Sequence, residues 1–330
     1  MIPFQKLGCT PEVERAFAKA QRKLGKGGRS FQLGRVVSLD RGYPLVRTES
    51  GQQRAELAAT IKKSDDGIVA VGDWVALGAP AGHEKAIIAA VLPRAVELAR
   101  VKRVGRERVP RRQVLAANVD TVFICQSLSG RGLELNLLVR QMAAVAGCGA
   151  TPVFVFTKGD LVDDGQVKSW CAQARAVAPD VACVVCAADD AASVEQVRAL
   201  CPAGSTGMLL GESGVGKSSL VNALVGEGVL DVGEVRASDD KGRHTTVARR
   251  MVEVPGGGVI IDAPGLRTLQ ILDVERCLAA AFPDVLDAAT RCRFRDCAHE
   301  SEPGCAVREE VPAPRLEAYR YLLASDWRRK

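Results

Sequence analysis

The sequence predicts a multidomain protein with an N-terminal OB-fold β-barrel, a central α/β domain and a C-terminal α-helical module. Three observations predict this fold class. Five short strand patterns, separated by Gly, Asp and Ser turns, lie between residues 34 and 92. Strand and helix patterns then alternate around a glycine-rich loop. Near the C-terminus, three cysteines and one histidine fall within fourteen residues. The expected boundaries are 1–33 for an N-terminal arm, 34–112, 113–272 and 273–330.

Composition narrows the class of protein. The chain has 330 residues, of which 47% are hydrophobic and 25% charged, which is typical of a globular protein of two or three domains. It contains no apolar run long enough for a membrane span, and its N-terminus lacks the layout of a secretory signal. Eleven cysteines in such a chain favour reduced thiols and metal binding over a disulfide framework. We therefore expect a cytoplasmic location and no membrane partner.

Positive charge is concentrated in two segments. Residues 1–35 and residues 94–112 each carry eight basic and two acidic residues, although the net charge of the whole chain is only +6. We expect residues 1–33 to form a basic mobile arm, and residues 94–112 to form a basic linker. Such segments are typical of nucleic-acid binding, and the alternative is a solvated tail and a solvated linker.

The five barrel strands are expected at 35–39, 43–48, 53–58, 73–77 and 86–91. Barrels of the OB type commonly bind oligonucleotides, and their aromatic side chains stack on bases. Trp74 is expected in the barrel core, with base stacking as the weaker alternative. Tyr43 and Phe31 are further stacking candidates. Because aromatic residues make up only 4% of the chain, electrostatics should outweigh stacking.

The central domain has the pattern of a mostly parallel sheet covered by helices on both faces. Strands are expected at 119–126, 152–156, 181–186, 208–210, 248–254 and 259–262. Helices are expected at 134–146, 165–177 and 192–200.

The glycine-rich loop binds phosphate. Gly211-Glu-Ser-Gly-Val-Gly-Lys-Ser218 satisfies G-x-x-x-x-G-K-[ST] between an apolar strand pattern and a helix pattern. Its backbone N–H groups and the helix N-terminus attract phosphate, Lys217 reaches the β- and γ-phosphates, and Ser218 ligates Mg²⁺. The expected nucleotide-binding residues here are Gly211, Glu212, Ser213, Gly214, Val215, Gly216, Lys217, Ser218 and Ser219.

Two later segments complete a predicted γ-phosphate and magnesium site. Asp262-Ala-Pro-Gly265 places an Asp at the end of an apolar strand in a D-x-x-G pattern. We expect Asp262 to support Mg²⁺ and the N–H of Gly265 to contact the γ-phosphate. In the preceding loop, Thr245 or Thr246 completes the Mg²⁺ coordination, and Thr246 is taken as the ligand beside Ser218 and Asp262.

Thr157-Lys-Gly-Asp160 selects the base. It is similar to the N-K-x-D signature of GTPases, in which the carboxylate accepts two hydrogen bonds from guanine. Adenine has no such pair of donors, so Asp160 favours GTP over ATP, and Lys158 lies against the base. Thr157 replaces the usual Asn and removes an amide contact. After the next strand pattern, Cys186-Ala187 stands where GTPases have Ser-Ala, whose Ala N–H contacts the guanine carbonyl.

The order of these motifs is unusual. The guanine signature precedes the phosphate loop by roughly fifty residues, whereas it follows the loop in ordinary small GTPases. A circular permutation explains this order and is physically tolerable because domain termini often lie close together.

The chain resembles the circularly permuted, ribosome small-subunit-dependent GTPases of the RsgA (YjeQ) type. The resemblance covers about residues 34–310 and includes Gln113-Val-Leu-Ala-Ala-Asn-Val-Asp120 and the motifs above. It implies a GTPase that binds the small ribosomal subunit and its rRNA and assists late maturation. Hydrolysis stimulated by the subunit then triggers release. We expect a monomer.

Catalysis by this site needs a group that the usual pattern does not supply. Leu266 occupies the position where Ras-like enzymes have a Gln that orients the attacking water. We therefore expect slow intrinsic hydrolysis and take His244 as the candidate catalytic residue, beside Lys217 and Thr246. The alternative is that His244 is structural or faces RNA.

The C-terminal cluster predicts a structural zinc site. Cys292, Cys297, His299 and Cys305 supply three thiolates and one imidazole, a set suited to closed tetrahedral coordination of Zn²⁺. Its spacing also matches the family that the chain resembles.

Two other functions remain open from the sequence. One is a nucleotide-gated RNA-binding module whose hydrolysis is incidental. The other is a large-subunit assembly GTPase of the second permuted type, which the barrel and the zinc cluster disfavour. Expected cofactors are GTP/GDP, Mg²⁺ and one structural Zn²⁺.

Overall fold

The computed structural model of the chain describes residues 4–25, 30–40, 43–62, 69–78, 85–104, 109–130, 132–226, 249–262 and 268–324. Within these ranges it contains a barrel, a central α/β sheet and a C-terminal group of helices. None of the helices in these ranges is long and apolar enough to cross a membrane.

Five strands close the predicted barrel. They are β1 (Gln32–Asp40), β2 (Tyr43–Thr48), β3 (Gly51–Leu57), β4 (Trp74–Gly78) and β5 (Ala86–Val91), with the short helix α2 (Ala59–Lys62) after β3. The order is β1-β2-β3-β5-β4, and β4 pairs back onto β1. Strands β3 and β5 are parallel, while the other neighbours are antiparallel. Val36, Val46, Val75 and Ile88 fill the interior. The prediction of an OB-like barrel is confirmed.

Trp74 lies outside the barrel interior, so its predicted position is wrong. It is only 2% exposed, but Val75 fills the interior and neighbouring strand residues point to opposite faces. The ring of Phe4 packs edge-on against Trp74 at a centroid distance of 5.9 Å. Trp74 therefore has no free face for a base. Phe31 lies over Gly78, whereas Tyr43 is 46% exposed.

The described part of the N-terminal segment packs against the barrel, in contrast to the expected mobile arm. A 3₁₀ helix (Phe4–Leu7) is followed by α1 (Pro11–Leu24), which begins with Thr10 as N-cap and a proline in its first turn. Leu7 is fully buried, and Lys6 forms an ion pair with Glu253 of the central sheet. Four of the basic residues that suggested an arm are exposed on this amphipathic helix: Arg15, Lys19, Arg22 and Lys23.

The expected basic linker is a β-hairpin. Strands β6 (Glu97–Val104) and β7 (Val109–Ala117) pair antiparallel, and the register sets Lys102 opposite Arg111. Leu98 and Leu115 are buried at the base of the hairpin. The density of charged residues hid the strand pattern in the sequence, because alternation of apolar and polar residues is visible only near the base.

The central sheet has the predicted alternation. Its strands are β8 (Thr121–Ser127), β9 (Thr151–Thr157), β10 (Ala182–Cys186), β11 (Thr206–Leu210), β12 (Arg249–Glu253) and β13 (Val259–Asp262). Its helices are α3 (Leu135–Gly147), α4 (Asp164–Val177), α5 (Ala191–Ala199) and α6 (Lys217–Val225). The strand order is β10-β9-β8-β11-β13-β12, and only β12 runs antiparallel to its neighbour. One apolar cluster lies on each face of the sheet. The expectation of a mostly parallel, doubly covered sheet is confirmed.

The barrel and the central domain share one sheet. Strand β1 pairs antiparallel with β12, with Ser38 opposite Arg250 and Leu39 opposite Arg249. The result is a continuous sheet of eleven strands. The barrel is thus bonded to the strand that directly follows residues 227–248.

Arg35 stabilises the junction between the N-terminal segment, the barrel and the start of the central domain. It is 1% exposed and donates hydrogen bonds to the carbonyl oxygens of Leu7, Gly72 (3.2 Å) and Asn118 (2.9 Å). Asn118 has a φ of +54° and bonds Gly72 and Ala95 through its side-chain amide. Burial lowers the pKa of Arg35 to about 10, so the guanidinium stays charged at neutral pH. The two hydrogen bonds of the Asn118 side chain at this junction explain why the Gln113–Asp120 motif contains an Asn.

Four helices form the C-terminal module: α7 (Val274–Ala281), α8 (Pro283–Ala289), α9 (Ala306–Glu310) and α10 (Ala313–Ala324). At the contact of α7 with α3, a Cβ on Gly147 would lie 2.3 Å from the Sγ atom of Cys277. Arg315, 3% exposed, donates to the carbonyl oxygens of Val177 (2.7 Å) and Ala281 (3.0 Å) and to the carboxylate of Asp284 (2.6 Å). Arg315 therefore links the C-terminal module to the C-terminal end of α4.

Candidate nucleotide-binding site and metal centre

The glycine-rich loop joins β11 to α6 in a conformation that requires its glycines. The φ angles of Gly211, Gly214 and Gly216 are +155°, +79° and +93°. A Cβ on Gly211 would also lie 2.5 Å from the carbonyl oxygen of Cys125. The strand, loop and helix that the motif predicts are present, and the first backbone N–H groups of α6 point toward the loop.

Lys217 extends along the inside of this loop. Its Nζ atom donates to the carbonyl oxygens of Gly211 (2.6 Å) and Glu212 (2.5 Å). Ser218 follows it in the first turn of α6 with an exposed side chain. An ammonium group and a hydroxyl thus lie where the phosphates and the magnesium ion of a nucleotide are expected.

Asp262 ends β13, the strand next to β11. Burial raises the pKa of this carboxyl, and the charges of Arg250 and Lys217 counteract the rise. The carboxylate therefore lies within electrostatic reach of the phosphate-loop lysine. That position suits an oxygen ligand, direct or through water, for a hard cation such as Mg²⁺.

Thr157 has a contact that sequence reasoning missed. Its hydroxyl lies within hydrogen-bond distance of the carbonyl oxygens of Gln126 (3.3 Å) and of Val215 in the phosphate loop. The threonine is 4% exposed, so this contact ties β9 to the loop out of contact with water. The Thr157 hydroxyl thus bridges β9 and the phosphate loop. The sequence alone could not predict this contact, because it does not show that β9 lies beside the loop.

Replacing Thr157 with Val should weaken guanine-nucleotide binding roughly fivefold, because one buried hydrogen bond of about 1 kcal/mol is lost at constant shape. A titration with fluorescent GDP measures this change. Thr151→Val, an exposed substitution on the same strand, is the matched control. Equal affinities for Thr157→Val and the wild type would contradict the assigned contact.

The other guanine-signature residues follow β9 directly. Lys158 has a left-handed backbone with φ 59° and ψ 40°, a conformation that costs energy for a residue with a Cβ and is common at functional sites. Asp160 lies in the following 3₁₀ turn, and its side chain is exposed. The carboxylate is therefore accessible to a ligand.

The Cys186-Ala187 segment differs in detail from its expected role. The Ala187 N–H donates to Oγ of Ser193 at 3.2 Å, so this donor already has an acceptor within the protein. The Ser193 hydroxyl in turn contacts the carbonyl oxygens of Asp190 (2.9 Å) and Ala187 (3.2 Å). Cys186 is buried, with its thiol against Ser193. Ser193, which sequence reasoning did not select, shapes this loop.

A cavity of about 220 Å³ lies between the phosphate loop, Lys158, the end of β8 and the start of α3. Gln141 of α3 lines this cavity, is 2% exposed and accepts a hydrogen bond from the N–H of Leu269 at 2.8 Å. Leu269 closely follows the D-x-x-G motif in the chain. Gln141 therefore connects the region after the γ-phosphate motif to α3, and α3 packs on the C-terminal module. No sequence motif marks this glutamine.

Four predicted site residues, His244, Thr245, Thr246 and Gly265, lie outside the described residues, as does Leu266. Their roles stay predictions.

The predicted zinc ligands lie together. The ligand atoms of Cys292, Cys297, His299 and Cys305 are all within 4.8 Å of one another. Nδ1 of His299 is 3.6 Å from Sγ of Cys292 and 3.5 Å from Sγ of Cys305, and these two sulfurs are 3.9 Å apart. In a tetrahedral zinc site with Zn–S bonds of about 2.3 Å, neighbouring ligands are about 3.5–3.8 Å apart. The donor set and its dimensions therefore fit a zinc ion.

The pKa shifts of Cys292 and His299 favour a bound metal, whereas burial raises the pKa of Cys297 to about 11. A backbone N–H of Val307 lowers the pKa of Cys292, which stabilises the thiolate that binds metal. Burial lowers the pKa of His299, so its ring is neutral at physiological pH, as a ligand must be. Glu302 holds the loop between the ligands, since its carboxylate accepts from the N–H groups of Ala298 and Glu300.

The fold and the site together define a circularly permuted GTP-binding protein of the phosphate-loop class. The RsgA GTPase family model matches residues 91–272. A Streptomyces coelicolor protein named small ribosomal subunit biogenesis GTPase RsgA is 40% identical over 301 residues, covering 89% of this chain and 80% of its own length. The crystal structure of YjeQ from Thermotoga maritima matches 90% of this chain and all of its own with a TM-score of 0.67 and 23% identity. That of YloQ, described as a circularly permuted GTPase, matches 91% of this chain and 97% of its own with a TM-score of 0.65 and 21% identity.

The chain belongs to the RsgA GTPase family. The permutation expected from the order of its motifs is confirmed, and its enzyme class is GTPase.

Proposed function

We propose that this chain binds the small ribosomal subunit, assists a late step of its maturation and leaves when GTP is hydrolysed. One observation carries the proposal: β1 of the barrel is hydrogen-bonded to β12, which directly follows the predicted switch segment Lys241–Thr246. A barrel of a nucleic-acid-binding type is thus mechanically continuous with a nucleotide-sensing segment. The name of the 40% identical Streptomyces relative supports the same role.

Ribosomal RNA is the proposed contact of the barrel, the β6–β7 hairpin and the C-terminal module. The hairpin contains most of the basic segment 94–112, which forms two paired strands. The barrel and the C-terminal module each have an exposed aromatic ring with a cation over one face. In the barrel, Lys85 lies 5.0 Å from the ring centre of Tyr43; in the C-terminal module, Arg293 lies 5.4 Å from that of Phe294. Rings and cations of this kind stack on unpaired bases and attract the phosphate backbone.

In the proposed nucleotide site, Asp160 accepts two hydrogen bonds from guanine and Lys158 lies against the base, while Thr157, Cys186 and Ala187 support the segments that hold it. Residues 211–219 hold the phosphates. Ser218, Thr246 and Asp262 are the proposed magnesium ligands, and Gly265 contacts the γ-phosphate. Magnesium, when bound, neutralises the charge that develops on the phosphate oxygens.

His244 is the proposed catalytic residue, because Leu266 cannot orient water. Contact with the small subunit would bring His244 to the attacking water, and hydrolysis would then be fast only on the subunit. The zinc site is proposed to be structural, since four protein ligands leave no open position for a substrate. We further propose that the protein acts in the cytoplasm as a monomer.

Removing the charges of Lys102 and Arg103 by substitution with Gln tests the RNA contact. Binding to small subunits should weaken, and the slope of log affinity against log salt should flatten by about one to two units, because each lost phosphate contact contributes about 0.7–0.9. Sedimentation at several salt concentrations measures both. Arg22→Gln with Lys23→Gln, an equal charge change on α1, is the control. Equal losses in the two variants would contradict a specific role for the hairpin.

A further inference from the structure

Two cysteines outside the zinc cluster lie in contact. Sγ of Cys171 on α4 and Sγ of Cys183 on β10 are 3.8 Å apart. Both side chains are half-buried, so small solutes reach them from the surface. Among the eleven cysteines, this is the thiol pair outside the zinc cluster that lies in such contact. All eleven are free thiols in this structure.

A metal site does not explain the pair. Among the residues that the structure describes, no third cysteine, histidine or carboxylate joins Cys171 and Cys183 in a possible ligand group. Zinc and similar ions need about four ligands in a structural site. A disulfide bond needs a sulfur separation of about 2.0 Å, so the two sulfurs must approach by about 1.8 Å. The bond requires the two short side chains to rotate and α4 to shift slightly on the edge strand β10.

We propose that Cys171 and Cys183 form a reversible intramolecular disulfide when the protein meets a peroxide. The sulfur of one cysteine attacks a peroxide oxygen; the O–O bond breaks, one water leaves and a sulfenic acid forms. The thiol sulfur of the second cysteine then attacks the sulfenic sulfur; the S–O bond breaks, the S–S bond forms, and the thiol proton leaves with the hydroxide as a second water. Two thiols and one hydrogen peroxide give one disulfide and two waters. A cellular dithiol reverses the reaction by thiol–disulfide exchange.

The local charges suit this order of events. Burial, followed by the neighbouring thiol of Cys171, raises the pKa of Cys183 to about 12, and the charge of Arg175 partly offsets this. Cys183 therefore stays protonated while Cys171 meets the peroxide, and it gives up its proton only as the S–S bond forms. The sulfenic acid then forms beside a thiol that is already in contact, which protects it from further oxidation.

The bond would lie behind the guanine end of the nucleotide site, because the register sets Cys183 opposite Phe154, ahead of the pair Cys186 and Thr157. Helix α4 follows the Thr157–Asp160 motif, and β10 ends at Cys186, which precedes Ala187. The two segments proposed to surround the base would then be joined beneath it. Because the disulfide would fix the spacing of these segments, it should slow the release of GDP. This consequence rests on the proposed guanine contacts, whereas formation of the bond does not.

Peptide mapping tests the bond directly, because a trypsin site separates the two cysteines. Cleavage after Lys168, Arg175 and Arg198 places Cys171 in peptide 169–175 and Cys183 in peptide 176–198. The full-length, zinc-loaded protein is treated with hydrogen peroxide, its free thiols are alkylated, and it is digested without reductant. We expect a cross-linked pair of these peptides, lighter by two hydrogens than their sum, which dithiothreitol separates.

Three variants locate the bond, since peptide 176–198 also contains Cys186. The cross-link should persist in Cys186→Ser and disappear in Cys171→Ser and in Cys183→Ser. Zinc content and circular dichroism identify any variant that fails to fold, and Cys→Ala versions then replace it. Two results would overturn the proposal. One is the absence of the cross-link in folded wild-type protein whose other half-buried thiols are oxidised. The other is a cross-link that survives in Cys183→Ser. Dissociation of fluorescent GDP, measured before oxidation, after it and after re-reduction, should be slow only in the middle sample. A formed bond with unchanged GDP release would reject the nucleotide effect alone.

Discussion

Asp160→Asn should weaken GTP binding by about 10²- to 10⁴-fold, because two hydrogen bonds from guanine to a carboxylate are each worth about 1.5–3 kcal/mol. The Asn amide offers one acceptor and one donor, so it cannot accept from both guanine nitrogens. Xanthine carries a carbonyl oxygen where guanine carries its amino group, and this oxygen accepts from the Asn amide. The variant should therefore prefer xanthosine over guanosine nucleotides. Calorimetric titration with both nucleotides measures the reversal.

Asp164→Asn is the matched control for this reversal. Asp164 lies in the first turn of α4, four residues after Asp160, and its replacement makes the same change of charge. It should leave the preference for guanine intact. If Asp160→Asn still preferred GTP, or if both variants lost affinity equally, the assignment of Asp160 as the residue that reads the base would be wrong.

Cys305→Ser should abolish zinc binding and unfold the segment around the cluster. Cys305 is 2% exposed, and its sulfur contacts both Cys292 and His299. Structural zinc contributes about 10–16 kcal/mol to the folding of small zinc-binding peptides, far more than a segment of this size can replace with its own contacts. Residues from Cys292 to the start of α10 should become sensitive to protease. Affinity for GTP should change far less, because the phosphate loop and Asp160 are on the central sheet.

Cys148→Ser tests whether that effect belongs to the cluster. Cys148 is a half-buried thiol at the end of α3, outside the zinc ligands. Zinc content by mass spectrometry and the time course of limited proteolysis should match the wild type. A Cys305→Ser protein that retained one zinc per chain would contradict the assigned ligand set.

Local patterns explain why much of the site could be predicted from the sequence. The phosphate loop and the Cys₃His cluster each consist of ligands within fourteen residues, so their spacing alone defines the chemistry. The barrel strands were visible because one face of each is buried, which gives alternation along the chain. The order of the motifs then implied the permutation without any knowledge of the fold.

The features that the sequence did not predict depend on contacts between residues far apart in the chain. The pairing of β1 with β12 joins residues about two hundred positions apart, and no property of either strand marks its partner. The hydroxyl of Thr157 and the amide of Gln141 act on backbone groups 58 and 128 residues away. Strongly charged segments were misjudged because charge was taken as a sign of an extended or mobile chain. In the structure, the first such segment packs through Leu7 and the second is a paired hairpin.

We propose that these long-range contacts are also the route between the nucleotide and the other parts of the molecule. Strand β12 connects the predicted switch segment to the barrel, and Gln141 connects Leu269 to α3. Arg315 joins α4, which follows the guanine motif, to the C-terminal module. A change at the nucleotide would therefore reach both the barrel and the zinc cluster through hydrogen-bonded segments.

Phosphate release from GTP, measured with no ribosomal subunits, with purified small subunits and with purified large subunits, tests the proposed function most directly. Turnover should be slow alone, rise manyfold with small subunits and stay slow with large ones. His244→Ala should bind GTP normally and lose the stimulated rate; if it keeps that rate, His244 is not catalytic. Stimulation by small subunits alone is the result that the proposed function predicts. Turnover that small subunits leave unchanged, or that large subunits stimulate equally, would contradict it.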